Sequence, residues 1–253
     1  MPRPNPLPLS SRLRTNLIQA PIFFLITALC GTAALIASLF AKTGRTQHRI
    51  AQFWARLSVF ASGAHLTVRG AENLRKHSVA VYASNHTSYM DTPVVFSALP
   101  FQFRILAKKE LWSLPFIGWY LARSGQMPID TDNPRSTLSS LSKAAAALRA
   151  GMNLFVFPEG SRTPDGTLQA FLSGAAFLAI RAQVPLIPIA LTGVYDLLPI
   201  HTKHFYPGDV ILHAGEPIST DGLTIRDADA LTETLRSAIE ALLEADKASM
   251  TSN

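Results

Sequence analysis

The stretch "VAVYASNHTSYMDTPVVFSAL" (residues 79–99) places an apolar run, a polar turn and a helix start in immediate succession. The apolar run predicts a buried strand, and Pro93 falls in the first turn of a helix predicted over residues 92–99, where proline is tolerated. His86 and Asp91 lie in the turn, five positions apart. Open α/β sheets bind ligands at loops that follow the carboxyl ends of strands. The stretch therefore predicts both a fold and a site.

The interval between His86 and Asp91 is not distinctive, because His204 and Asp209 in "HFYPGD" repeat it. The Pro-Gly pair of that second stretch is typical of a turn. Residues five apart on one helix point about 140° away from each other, whereas a strand-turn-helix bend lets them meet. In such a bend Asp91 can hold the Nδ1 proton of His86 and leave Nε2 as a general base. Asp91 also stands where a helix N-cap belongs, so capping is its alternative role.

A second loop of the same kind follows the apolar run "NLFVFP" and begins with "EGSR". It presents Glu159, Ser161 and Arg162 at a strand end. Gly160 lets the backbone approach a ligand closely, and the planar guanidinium of Arg162 suits phosphate oxygens. Taken alone, the loop has a salt-bridged surface turn as its alternative. Two strand-end loops together predict a site that combines a base with an anion-binding group.

From His65 onward, β-rich runs alternate with helix-like ones, the pattern of an α/β sheet covered by helices. The strands are predicted in residues 65–70, 79–84, 103–108, 125–130, 153–158, 185–193 and 209–215. The helices are predicted over residues 92–99, 111–122, 135–150, 173–183 and 225–245. Thr224 and Asp227 at the start of the last helix form a pattern typical of a capping box.

The basic character of the chain is confined to its first quarter. Residues 1–71 hold eight Lys or Arg and no Asp or Glu, whereas the rest holds 15 basic and 17 acidic residues. Between Arg14 and Lys42 run 27 uncharged residues, and about 20 apolar residues suffice to cross a bilayer. Residues 50–61 follow with aromatic and Arg side chains at the spacing of an interfacial amphipathic helix. We therefore predict membrane-anchoring helices in residues 1–63, a catalytic domain in residues 64–246 and a tail in residues 247–253.

Other interpretations of the N-terminal segment are a cleaved signal peptide and a buried core helix. The apolar run exceeds the usual signal-peptide core of about 7–15 residues. Nucleic-acid binding is disfavoured because the positive charge is interleaved with apolar sequence. The single Cys30 provides neither a disulfide framework nor a cysteine metal site. Three basic residues precede the segment and four follow it before Phe60, so the sequence predicts neither its orientation nor whether it crosses the bilayer or lies in one leaflet.

The ordered motifs resemble those of the glycerolipid acyltransferases, in particular the 1-acylglycerol-3-phosphate (lysophosphatidic acid) acyltransferases. "NHTSYMD" is similar to the His-x4-Asp motif of the family, "FPEGSR" to its Glu-Gly-x-Arg motif and "VPLIPIAL" to its hydrophobic-Pro motif. "AKKEL" and "GQMPID" occupy the intervening places in the expected order. The resemblance covers residues 66–215 and implies a mixed, largely parallel sheet flanked by helices.

The resemblance implies transfer of a fatty acyl group from a thioester of coenzyme A or acyl carrier protein to the sn-2 hydroxyl of lysophosphatidic acid. His86 would take the hydroxyl proton, and Asp91 would support the imidazolium that forms. The Glu-Gly-x-Arg motif would hold the glycerol phosphate through its four residues, Glu159, Gly160, Ser161 and Arg162. Direct attack on the thioester needs no acyl-enzyme, and the chain has no Gly-x-Ser-x-Gly elbow. The resemblance implies no cofactor and no metal.

Lys108 would bind the thioester oxygen or the acceptor phosphate. A cytosolic donor implies that the catalytic face lies on the cytoplasmic side of the membrane, with membrane lipids as partners. The chain departs from the family pattern at Thr131, where Arg is frequent, and at Leu172 and Ser173, where Lys is frequent. These departures keep open another lysophospholipid or a lyso-aminolipid as acceptor. The alternatives from other classes are a thioesterase or lipid hydrolase, in which His86 activates water, and a non-catalytic lipid-binding protein.

Overall fold

The computed structural model describes residues 9–41 and 43–251. The strands are β1 (Ala64–Arg69), β2 (Val81–Ser84), β3 (Phe103–Lys108), β4 (Met127–Ile129), β5 (Asn153–Val156), β6 (Leu186–Thr192) and β7 (Gly208–Ala214). The helices are α1 (Leu9–Arg14), α2 (Ala20–Phe40), α3 (Arg45–Ser62), α4 (Asp91–Ala98), α5 (Ile117–Ser124), α6 (Pro134–Arg149), α7 (Gly174–Ala182), α8 (Val194–Leu197) and α9 (Ala228–Thr251). Each predicted strand is therefore present.

The strands form one seven-stranded sheet in the order β1-β7-β6-β2-β5-β3-β4. Strands β6 and β7 pair antiparallel, and the other neighbouring pairs are parallel. Strands β2, β5 and β6 are buried at every residue, as uninterrupted apolar runs predict for central parallel strands. Helices α3 and α4 cover one face, and α6, α7 and α9 cover the other. This confirms the mixed, largely parallel sheet flanked by helices.

The predicted helix over residues 111–122 is interrupted, and that prediction was wrong. A 3₁₀ turn occupies Lys109–Ser113, and α5 begins only at Ile117. Pro115 lies between them, where its ring disfavours a helical conformation of the preceding residue. Phe116 then takes a positive φ of 62°, and the Ile117 N–H donates to the Pro115 carbonyl at 2.7 Å.

The capping box predicted before the last helix is present, with reciprocal bonds between Thr224 and Asp227. No Gly or Pro interrupts residues 228–251, and α9 continues as far as Thr251. The described part of the predicted tail, residues 247–251, is therefore helical, and residues 252–253 lie outside the described residues. The short helix α8 was not predicted, because four residues carry no helical periodicity.

Helices α1 and α2 are continuous through a π-helical turn at Thr15–Gln19. Together they span Leu9–Phe40, 32 residues that contain an 18-residue stretch of mean hydropathy 2.3, which is long and apolar enough to cross a membrane. This helix packs along α3, where the indole N–H of Trp54 donates to the Thr27 hydroxyl at 2.9 Å. Gln19 donates to the Ser62 carbonyl at 3.0 Å. These polar contacts integrate the helix with the domain, which argues against a cleaved signal peptide.

Helix α3 belongs to the α/β domain, although the predicted boundary at residue 63 assigned it to the membrane anchor. Its buried face holds small residues such as Ala51, Ala55 and Ser58 beside Gln47, His48 and Val59, whereas Phe53 and Phe60 are exposed. Small side chains let the helix approach the sheet closely, and the aromatic pattern in the sequence marked the opposite, outer face. Residues 1–8 and Lys42 of the predicted anchor lie outside the described residues.

We expect acid to destabilise the fold through His48. The imidazole is buried between the rings of Phe96 and Phe103, and its Nε2 donates to the Phe101 carbonyl at 3.1 Å. Burial lowers the pKa of His48 from 6.5 to about 4, so the neutral ring stabilises the fold above pH 6.5, and this contribution is lost as the pH falls towards 4. The thermal unfolding midpoint of the native protein should fall more over this interval than that of His48→Gln. Equal falls would contradict the assignment.

Candidate active site

The His86 and Asp91 side chains meet in the loop between β2 and α4. The Nδ1 atom of His86 donates to Oδ2 of Asp91 at 2.7 Å, and Asp91 is fully buried. The strand-turn-helix bend thus brings together two residues that one helix would hold apart. Because Nδ1 is engaged, Nε2 is the nitrogen that His86 offers to a substrate.

Asp91 binds the loop that precedes it and does not cap the helix. Its Oδ2 atom also accepts the backbone N–H groups of Thr87 at 2.6 Å and Ser88 at 2.8 Å. The N-cap position of α4 belongs to Met90, which makes no side-chain cap. The carboxylate therefore orders both the backbone of the turn and the imidazole ring, and the expected alternative role as a cap is wrong.

The loop that begins at Glu159 also binds the backbone of His86. Oε1 of Glu159 accepts the His86 N–H at 2.6 Å, and Oε2 accepts the Gln169 N–H at 3.0 Å. The Thr163 N–H donates to the His86 carbonyl at 3.0 Å. The ring of Phe157 stacks on the His86 imidazole with centroids 3.9 Å apart. The two loops therefore form one unit around the base.

Glu159 is a positioning residue in this arrangement. Both carboxyl oxygens face backbone amides, and the side chain is not among the residues that line the adjacent cleft. Burial raises the pKa of Glu159 from 4.5 to about 7, although the two N–H bonds act in the opposite direction. The resemblance implied that Glu159 holds substrate, whereas the geometry gives that position to its neighbours.

A cleft of about 330 Å³ opens beside the His86 ring. Four of the predicted binding residues line it with His86, namely Lys108, Gly160, Ser161 and Arg162. Gly160 has a positive φ of 70°, which favours glycine, and a Cβ there would lie 3.1 Å from a methyl of Leu172. The carboxyl ends of β2, β3 and β5 bring these residues to one edge of the sheet.

The Arg162 guanidinium is held rigidly at the cleft. Its Nε donates to the Ser88 carbonyl at 3.1 Å, and its centre lies 4.4 Å from the ring centroid of Tyr89. Partial burial lowers the pKa of Arg162, but the group remains charged because its ordinary value is far above neutrality. A planar cation fixed on two sides and lining a cleft is suited to a phosphate or a carboxylate.

The second histidine and aspartate with the same spacing do not form a pair. Asp209 lies 3.6 Å from Nδ1 of His65 on the neighbouring strand, and both of these side chains are exposed. The Nδ1 atom of His204 is buried and has no hydrogen-bond partner. His204 lies in the irregular connection before β7, and Asp209 lies on β7 itself, so the turn predicted from the Pro-Gly pair is not formed. Among the described residues no group of three His, Cys, Asp or Glu side chains is placed to hold a metal ion.

Residues 65–192 match the protein-family model described as Acyltransferase, which is half of the chain. The chain belongs to the acyltransferase family. It is 34% identical over 202 residues to the chloroplastic 1-acyl-sn-glycerol-3-phosphate acyltransferase LPAT1 of Arabidopsis thaliana, covering 76% of this chain and 54% of that protein. It is 30% identical to the 1-acyl-sn-glycerol-3-phosphate acyltransferase of Saccharomyces cerevisiae, covering 82% of this chain and 70% of that protein.

The fold of this acyltransferase is also that of a solved structure. The crystal structure of the 1-acyl-sn-glycerophosphate acyltransferase PlsC from Thermotoga maritima superposes with a TM-score of 0.78 at 24% identity. The alignment covers 94% of this chain and 98% of that chain. The chain spans little more than half the length of two of its curated relatives, the Arabidopsis protein at 54% and a Brassica napus protein at 62%.

Several residues that build the acyltransferase site were not predicted from the sequence. The amide of Asn85 bonds the backbone of Leu191 in both directions, at 2.8 and 3.0 Å, and so ties the start of the His86 turn to β6. Phe157 and Gln169 support the base and its loop. A polar residue directly after a fully apolar strand, as Asn85 is, was an available signal. The Gln169 N–H bonds to Glu159 because the chain folds back on itself between these residues, and no local sequence pattern indicates that approach.

Replacing Glu159 by Gln should loosen the clamp on the base. One of the two backbone N–H groups would then face an amide NH₂, and an unsatisfied buried donor costs about 1–3 kcal/mol. Because its pKa is raised, the protonated Glu159 carboxyl stabilises the fold below pH 4.5, and this stabilisation is lost as the pH rises through about 7. The stability advantage over Glu159→Gln should therefore shrink across this range in calorimetry. A difference that does not vary with pH would contradict burial of a titrating carboxyl.

Proposed function

We propose that this acyltransferase moves a fatty acyl group from acyl-CoA or acyl carrier protein to the sn-2 hydroxyl of lysophosphatidic acid, forming phosphatidic acid. The observation that carries the proposal is the placement of His86, ordered by Asp91, in one cleft with the cations Lys108 and Arg162. A hydrolase acting on a neutral ester would have little use for two cations beside the base. The two relatives described above bear names that state transfer to 1-acyl-sn-glycerol-3-phosphate.

The reaction begins when Nε2 of His86 takes the proton of the acceptor hydroxyl. The alkoxide attacks the thioester carbonyl, a C–O bond forms and the C–S bond breaks. The proton held by His86 then passes to the departing thiolate, so the enzyme returns to its starting state. Asp91 stabilises the transient imidazolium through the 2.7 Å bond to Nδ1. Arg162 would bind the acceptor phosphate, and Lys108, which lines the same cleft, would bind the thioester oxygen or the same phosphate.

The membrane location is part of the same proposal. The acceptor and product keep long acyl chains in the bilayer, and the Leu9–Phe40 helix can hold the domain at that surface. Because the thioester donor is water-soluble and cytosolic, the cleft faces the cytoplasmic side. A domain fixed at the membrane can reach the lipid headgroup without extracting the lipid.

A second acceptor class is favoured by one specific observation. Thr131 and Leu172, where the family pattern frequently has a cation, both line the cleft. Among the described lining residues the Lys and Arg side chains are Lys108 and Arg162. Two cations suit a phosphodiester or another singly charged headgroup as well as a phosphomonoester. A different lysophospholipid or a lyso-aminolipid is therefore the second candidate acceptor.

Loss of the base should lower transfer far more than stability, because the Thr87 and Ser88 N–H groups still donate to the buried Asp91 carboxylate. His86→Ala removes the proton acceptor, and general bases contribute about 10²–10⁴-fold to rates. His65→Gln is the matched control, because it removes an exposed histidine that also faces an aspartate. The measurement is transfer of labelled acyl groups by purified protein in vesicles. Full activity in folded His86→Ala would refute the assignment, and free fatty acid as the sole product of the native enzyme would favour hydrolysis.

Arg162→Lys should separate acceptor binding from donor binding. Lysine keeps the charge but loses the planar fork and the stacking on Tyr89. We expect the KM for the acceptor to rise several-fold while the KM for the acyl thioester changes little. A panel of lysophosphatidic acid, other lysophospholipids and a lyso-aminolipid, assayed with the native enzyme and this variant, identifies the headgroup. A larger effect on the donor would reassign Arg162 to thioester binding.

A further inference from the structure

The chain between Leu111 and Ala122, here called the apolar segment, has no charged residue and presents large side chains to solvent. It lies between β3 and β4 and includes most of α5. The exposed fractions are 37% for Leu111, 43% for Leu114, 69% for Phe116, 52% for Ile117 and 54% for Trp119. Contiguous apolar surface of this kind indicates a partner.

The backbone holds Phe116 outward at a conformational cost. Its φ of 62° and ψ of −54° close a three-residue turn, a conformation that residues other than glycine rarely adopt. The Phe116 ring contacts that of Trp119, with centroids 5.0 Å apart, and both remain exposed. Strained backbone persists where the surrounding structure supports it, and such strain clusters at functional surfaces. The strain here serves to present an aromatic pair away from the core.

The apolar segment is continuous with the membrane-length helix. A groove of about 480 Å³ has Leu35, Ile36 and Leu39 of α2 on one side and Trp112 and Trp119 on the other. Apart from Arg123 and Gly118 its lining residues are apolar, and Ile36 and Leu39 of α2 are exposed. The bilayer that surrounds α2 would therefore also reach the segment. Because the groove joins α2 to the apolar segment, lipid is the molecule expected to cover this surface.

Two contacts fix the segment against α2 and the 3₁₀ turn. Arg123 at the end of α5 donates to the Ser38 hydroxyl of α2 at 3.1 Å. A Cβ on Gly118 would lie 2.1 Å from the Trp112 carbonyl oxygen, so α5 packs directly on the turn. Arg123 follows the apolar segment directly in sequence, where it can meet anionic headgroups while aromatic rings occupy the interface.

The same turn separates the groove from the catalytic cleft. Leu111 lines the cleft beside His86, and the next residue, Trp112, lines the groove. A lipid in contact with the apolar segment thus touches Leu111, which lines the same cleft as His86. Entry past Leu111 would keep the acyl chain of the acceptor in an apolar environment throughout.

We propose that the apolar segment is a second membrane contact, inserted into the bilayer interface beside α2, and that the lipid acceptor enters the cleft past Leu111. The insertion is independent of the reaction, whereas the entry route rests on the proposed acyl transfer. A second copy of the chain on the same surface is the competing occupant.

Insertion is tested by the fluorescence of Trp119. Trp54→Phe with Trp112→Phe leaves it as the single tryptophan of the full chain. In vesicles of phosphatidylcholine and phosphatidylglycerol brominated on the upper acyl chain, its emission should be strongly quenched relative to unbrominated vesicles. Protein that floats with the vesicles but keeps unquenched emission would overturn the insertion. So would a dimer in light scattering that Phe116→Ser dissociates, because that result assigns the surface to a second copy.

The entry route is tested by Phe116→Ser combined with Ile117→Ser. Transfer to a long-chain acceptor embedded in vesicles should fall several-fold, whereas transfer to a short-chain, water-soluble acceptor should stay unchanged. Leu138→Ser is the matched control, because Leu138 is 53% exposed on α6, which packs on the other face of the sheet. Equal losses on both acceptors would overturn the route. A native enzyme that transfers to neither acceptor would refute the proposed function and leave the quenching result intact.

Discussion

The buried carboxylate of Asp91 is the constraint on which the site depends. A charge removed from water is costly unless hydrogen bonds replace its hydration, and here one oxygen accepts three donors within 2.8 Å. Two of those donors are backbone amides of the turn, and the third is the His86 ring. The need to satisfy one anion therefore determines the conformation of the turn and the orientation of the imidazole together. The base is positioned by the same interactions that keep the fold free of an unpaired charge.

Glu159 of the second loop adds rigidity without facing the cleft. The two carboxyl oxygens of Glu159 accept the backbone N–H groups of His86 and Gln169, and the His86 carbonyl accepts the Thr163 N–H. Neighbouring residues of the Glu-Gly-x-Arg motif thus have different roles. Its carboxyl supports the base from behind, while Gly160 and Arg162 face the cleft.

Much of the fold was predictable because the signals were local. The central strands are buried on both faces, which requires uninterrupted apolar sequence, and the position of His86 between a strand and a helix indicated the site. The role of Glu159 was not predictable, since its hydrogen-bond partners are backbone N–H groups of His86 and Gln169, which meet it only in the folded chain. The outward face of α3 was misleading for a related reason: small residues such as Ala55 bury themselves against the sheet while Phe60 remains exposed. The break before α5 was visible at Pro115, but its positive-φ neighbour was not.

The stacking of Phe157 on His86 affects the ring as well as its position. An aromatic face attracts positive charge, so the phenyl ring would stabilise the imidazolium that forms in the proposed reaction. The same ring, 3.9 Å away, covers one face of the imidazole and limits the approach of solvent to its edge. Water is the abundant competitor for any base near a thioester. A single phenylalanine directly after β5 would thereby shield one face of the proposed base from water.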